Sequence, residues 1–65
     1  MKYLLQIRKQ LGLTQAKMAN KLDLSTSYYQ KVEGNFVKPG RGFIEKFKDT
    51  FPEEDLNLLF INDND

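Results

Sequence analysis

The 65-residue sequence has no cysteine, no histidine and no tryptophan. Without cysteine there is no disulfide framework and no thiolate metal site. Without histidine the commonest general base and metal ligand is missing too. The nine carboxylates lie scattered or in one acidic cluster, and no nucleophile stands paired with a base. The chain is therefore not expected to be an enzyme, and no catalytic residue, metal site or cofactor is expected. No apolar run approaches the roughly 20 residues of a membrane span, and no signal segment is evident ahead of the first amphipathic stretch. The expectation is a soluble cytoplasmic protein without a membrane partner. So short a chain allows one domain with a small core. It has no room for a separate sensor, so no small-molecule ligand is expected.

Charge is present but lopsided. Residues 1–48 hold all ten Lys and Arg against Asp23, Glu33 and Glu45, a local balance of +7, whereas residues 49–65 carry six acids and no base. Such asymmetry fits one surface turned toward a polyanion and another turned away. Solvated helix faces would be the plainer explanation, but the basic part coincides with the chain's main motif.

That motif is Gln15–Gly34, QAKMANKLDLSTSYYQKVEG. Met18, Ala19 and Leu22 fall on one face of a short helix, and Tyr29 and Val32 form the inward face of another. Leu24, bracketed by Asp23 and Ser25, marks a tight turn between them. Ala19 is small where the two helices must cross. This is helix-turn-helix geometry, which offers its second helix to the major groove of DNA. Thr14 and Ser25 are the expected N-caps, and Gly34 is expected to end the second helix of the motif. Setting Tyr29 and Val32 inward turns Ser27, Gln30 and Lys31 outward, with Thr26 and Tyr28 on the flanks.

Around the motif, Leu4, Ile7 and Leu11 predict the buried stripe of a helix over residues 2–11, closed by Gly12. Pro39-Gly40 interrupts the chain before a helix over residues 41–50 that buries Phe43, Ile44 and Phe47. Pro52 predicts a fifth helix with Glu53, Glu54 and Asp55 in its first turn and Leu56, Leu59 and Phe60 on its apolar face. Leu58 stands to one side, and with Phe60 it can serve either the core or a two-fold partner. The expected architecture is all-α, a compact five-helix bundle over residues 1–60, with residues 61–65 as a short acidic tail.

Leu4, Ile7, Arg8, Gly12, Thr14-Gln15, Ala19, Leu22, Leu24, Tyr29, Val32 and Glu33-Gly34 together resemble the Cro/repressor-type (lambda-repressor-like) helix-turn-helix family of phage and bacterial regulators. Phe51-Pro52, Leu56, Leu58 and Leu59 extend the resemblance to Phe60. Asp23 departs from it, standing where the family usually has glycine. The resemblance implies sequence-specific binding of double-stranded DNA by a transcriptional regulator of phage or mobile-element type, a repressor before an activator. It implies a homodimer on a palindromic operator. It places Thr26, Ser27, Tyr28 and Lys31 at base edges, and Gln15, Lys38 and Arg41 at phosphates. Arg41 can alternatively enter a narrow minor groove, and Tyr28 can pack over the first helix instead of touching DNA. Arg8 and Glu33 are implied to form a structural ion pair. A different reading is a protein–protein module, antitoxin-like or anti-repressor, using the acidic C-terminal helix.

Overall fold

In the computed structural model, which describes residues 1–60, the helices are α1 (Lys2–Gln10), α2 (Gln15–Lys21), α3 (Thr26–Glu33) and α4 (Arg41–Thr50), followed by a 3-10 helix at Leu56–Phe60. The domain is all-α. Both predicted caps form: Thr14 Oγ1 accepts the Lys17 amide at 3.1 Å and Ser25 Oγ accepts the Tyr28 amide at 3.2 Å, each occupying a donor that the first helical turn leaves without a partner.

Helices α1, α2 and α3 end in the same way, on a residue in the left-handed conformation: Gly12 (φ +69), Asp23 (φ +57) and Asn35 (φ +64). After each, the chain turns back so that two amides bond the last carbonyls of the helix. Leu13 and Gly12 bond Arg8 and Lys9, Leu24 and Asp23 bond Ala19 and Asn20, and Phe36 and Asn35 bond Lys31 and Val32. This is the Schellman closure. Asp23 fills the role usually given to glycine, and its carboxylate meets Lys46 of α4 at 2.7 Å. Helix α3 ends at Gly34, as expected. Gly34 is its C-cap with an ordinary φ of −83, and the left-handed residue is Asn35.

The core gathers Leu4 and Ile7 from α1, Met18, Ala19 and Leu22 from the α2 segment, Tyr29 and Val32 from α3, Phe43 and Phe47 from α4, and Leu59. Fully burying one such Leu, Val or Phe is worth about 1.5–3 kcal/mol, so a core this small leaves little reserve. Ala19 is completely buried, and α2 and α3 form the most extensive of the helix pairings. Leu11 does not join the core. The helix stops at Gln10, and Leu11, as its cap, is 47% exposed. Ile44 is only half-buried.

The fifth α-helix is replaced by a turn and a 3-10 helix. The Glu54 amide bonds the Phe51 carbonyl across Pro52, and a second tight turn starts at Asp55, whose carbonyl and carboxylate accept the amides of Leu58 and Asn57. The acids Glu53, Glu54 and Asp55 thus occupy a connecting segment rather than the first turn of a helix. Three residues per turn align Leu56 with Leu59 on the inward side and rotate the next position away. Accordingly Leu59 is buried, while Phe60 is 60% exposed. The expected tail, residues 61–65, lies outside the described residues.

Candidate nucleic-acid interface

Helix α3 is held by a polar lock built on Glu33, which is 7% exposed. Arg8 of α1 grips its carboxylate with two arms of the guanidinium fork, Nε to Oε2 at 2.9 Å and Nη2 to Oε1 at 3.1 Å. The third arm, Nη1, donates to the Leu13 carbonyl at 3.0 Å. Gln15 Nε2 donates to Glu33 Oε1 at 3.1 Å, and the Tyr29 hydroxyl donates to Oε2. The Met1 amino group donates to the Glu33 backbone carbonyl. Burial alone would raise the Glu33 pKa, but the donors Arg8, Tyr29 and Gln15 outweigh it and hold the carboxyl below its ordinary value. Burial, followed by the adjacent carboxylate, pushes the Tyr29 phenol well above its ordinary range. A charge this enclosed is tolerated because it is paired and its lone pairs are filled.

The lock extends outward to the exposed face. Gln30 Nε2 donates to Gln15 Oε1 at 3.2 Å, joining the start of α2 to the outer side of α3. Spacing alone puts Gln30 on the outer face. Its bond to Gln15 spans 15 positions and leaves no signal in the sequence.

Ser27, Gln30 and Lys31 of α3 are exposed, and Thr26 is half-buried. Tyr28 is half-buried too, but it packs on α4 rather than α1. Its ring meets Phe43 edge-on at 6.3 Å and 69°, and its hydroxyl accepts the Gly40 amide at 3.2 Å. Lys38, in the α3–α4 loop, and Arg41, at the start of α4, are both exposed. Gln15 is half-buried, with its side-chain amide committed to Glu33 on the inner side and to Gln30 on the outer side.

The charge balance of this region follows from these pairings. Its acids, Asp23 and Glu33, are matched by Lys46 and Arg8. Among the described residues no carboxylate pairs with Lys17, Lys21, Lys31, Lys38 or Arg41. The segment from α2 to the start of α4 therefore presents uncompensated positive charge, the electrostatic footprint of a polyanion-binding surface.

Beside it stands Phe36, 82% exposed. Its ring lies so close over Gly34 that a Cβ there would come within 2.9 Å of it. No periodicity in the sequence singles out this aromatic. No helix among the described residues is long and apolar enough to cross a membrane.

No curated protein and no solved structure matches the chain. A helix-turn-helix family model matches residues 4–41, more than half of the 65. That span runs from Leu4, the first buried residue of α1, through both helices of the motif to Arg41. The chain belongs to the Cro/repressor-type helix-turn-helix family, whose domain binds DNA in transcriptional regulation.

Proposed function

We propose that this protein is a sequence-specific binder of double-stranded DNA, a small repressor of phage or mobile-element type working in the cytoplasm, with residues 1–60 as its DNA-binding domain. Helix α3 lies in the major groove. Ser27 and Lys31 meet base edges directly, Thr26 reaches from one flank, and the ring of Tyr28 lies at the other. A hydroxyl can donate or accept there, and Lys suits guanine O6 and N7. Gln15, Lys38 and Arg41 meet phosphates and fix the register. Gln15 does so with its backbone amide and the remaining hydrogen of its side-chain amide.

The observation that carries this reading is the pairing of an exposed polar face, Ser27, Gln30 and Lys31, with a helix locked from behind by Arg8 and Glu33. Direct readout needs side chains presented on a rigid element, and the lock supplies that rigidity.

One recognition helix reads only a few base pairs, so two copies bind a palindromic operator with half-sites about one turn, ~34 Å, apart. Leu58 and Phe60, at the edge of the core, supply the apolar surface where the copies meet. Selection of bound DNA from a random pool tests the proposal. An enriched palindrome with that spacing is the expected result, and recovery of unenriched DNA would refute sequence-specific binding.

A further inference from the structure

We infer that the Tyr28 hydroxyl is a phosphate donor that also fixes the loop carrying Lys38, so that one oxygen sets the distance between the base-reading helix and the backbone-gripping loop. The inference rests on the DNA-binding reading above.

The α3–α4 loop is anchored at its two ends by different means. Its first half is tied to the end of α3 by backbone bonds, the amides of Asn35, Phe36 and Val37 reaching the carbonyls of Val32 and Lys31. Beyond Val37 only one loop amide is hydrogen-bonded among the described residues, that of Gly40, and its acceptor is the Tyr28 hydroxyl at 3.2 Å. The ring that carries this hydroxyl is itself fixed by its edge-on packing against Phe43 of α4. Lys38 lies between the two anchors and Arg41 directly follows the second.

A phenolic hydroxyl has lone pairs to accept with and one proton to give. Here the Gly40 amide takes one lone pair, and the proton reaches no acceptor among the described residues. The donor stands at the edge of α3, next to the cationic loop. On a duplex docked through α3, the acceptors beside that loop are phosphate oxygens, which take side-chain hydroxyl donors as readily as cations. Accepting the Gly40 N–H polarises the O–H and strengthens its own donation. Tyr28 is thus a positioning residue for Lys38 and Arg41 as well as a phosphate ligand.

The test is Tyr28→Phe in the full chain, which keeps the ring against Phe43 and removes only the hydroxyl. Its affinity is measured on the selected operator and on single-base variants of it, at two salt concentrations. The exchange rate of the Gly40 amide is followed in the free protein. The expected loss is about ten- to a hundredfold, that of one hydrogen bond from a neutral donor to a charged phosphate oxygen, by the same factor on every sequence. The salt slope stays unchanged, because a neutral donor displaces no counterion, and the Gly40 amide exchanges faster. Unchanged affinity, or a loss confined to one base pair, would overturn the inference while leaving DNA binding intact. Failure of the unaltered protein to bind any duplex would overturn both.

Discussion

Arg8 and Glu33 sit 25 positions apart in sequence yet meet through two parallel hydrogen bonds, at 2.9 and 3.1 Å, that join α1 to the last residue of α3. Gln15 of α2 donates to the same carboxylate at 3.1 Å. The orientation of the helix proposed to read DNA therefore depends on one carboxylate, and that dependence can be measured without DNA.

Glu33→Gln keeps the shape of the side chain but removes its charge, and it leaves the half-buried Arg8 guanidinium short of its acceptor. The expected cost is about 1–3 kcal/mol of folding stability, read as a lower denaturant midpoint in the free protein. Glu33→Ala, which also opens space beneath Tyr29, costs at least as much. A midpoint equal to that of the unaltered chain would mean that the lock contributes nothing to the fold.

The same carboxylate sets a pH dependence. Its folded-state pKa lies below the ordinary value of 4.5, so the unfolded chain takes up the proton first as pH falls. The stabilisation is fully present above that ordinary value and is lost as the pH drops below it, toward the folded-state pKa. Denaturant midpoints measured from pH 7 to pH 3 should be level at first and then fall in acid. Glu33→Gln should flatten that fall, with the other carboxylates accounting for what remains.

Asn35 is an exposed residue in the left-handed conformation at the end of α3. Asn35→Ala is expected to destabilise the fold by about 1 kcal/mol, because a Cβ without Asn's local hydrogen-bonding compensation is strained there. Asn35→Gly is expected to be neutral or stabilising. Thermal melts of the two variants give the comparison, and equal melting temperatures would contradict the strain argument.

The elements legible in the sequence are those set by local chemistry. Thr14 and Ser25 cap their helices because a hydroxyl three residues ahead of an amide is enough. Asp23 turns the chain because a short polar side chain tolerates a positive φ. The departures arise where two local signals compete. Leu11 continues the period of Leu4 and Ile7, but Gly12 ends the helix before that face is completed. Gly34 does end α3, but the left-handed position that follows falls to its neighbour Asn35. Pro52 with three acids after it is a strong helix-start signal, yet the turn at Asp55 gives a 3-10 helix that still brings Leu59 into the core. The outward face of Ser27, Gln30 and Lys31 follows from spacing alone. The bonds from Gly40 to Tyr28 and from Gln30 to Gln15 join residues with no regular spacing. No pattern in the sequence encodes them.

If two copies meet on DNA through the edge of the C-terminal 3-10 helix, Phe60 is the residue to change, since most of its side chain is already in solvent. Phe60→Glu should leave the melting temperature unaltered while weakening binding to the full palindrome more than binding to an isolated half-site. Equal effects on both targets would move the dimer interface elsewhere.

Reading and positioning are separable by comparing Lys31 with Lys38. Lys31 lies one turn beyond Ser27 on the exposed face of α3, whereas Lys38 lies in the loop outside that helix. Lys31→Ala is expected to cost about 1–3 kcal/mol on the best operator and to relax the preference at one base pair. Lys38→Ala should weaken all sequences by a similar factor and reduce the salt slope by about one unit for each phosphate no longer neutralised. For the unaltered dimer, about two to four neutralised phosphates per subunit give a log–log salt slope of roughly −4 to −7. Titrating an operator panel with both variants at two salt concentrations distinguishes the roles. If Lys31→Ala weakens every sequence equally, α3 lies in the groove with a different face inward. Thr26 and the ring of Tyr28, on the flanks of that face, would then be the side chains nearest the bases.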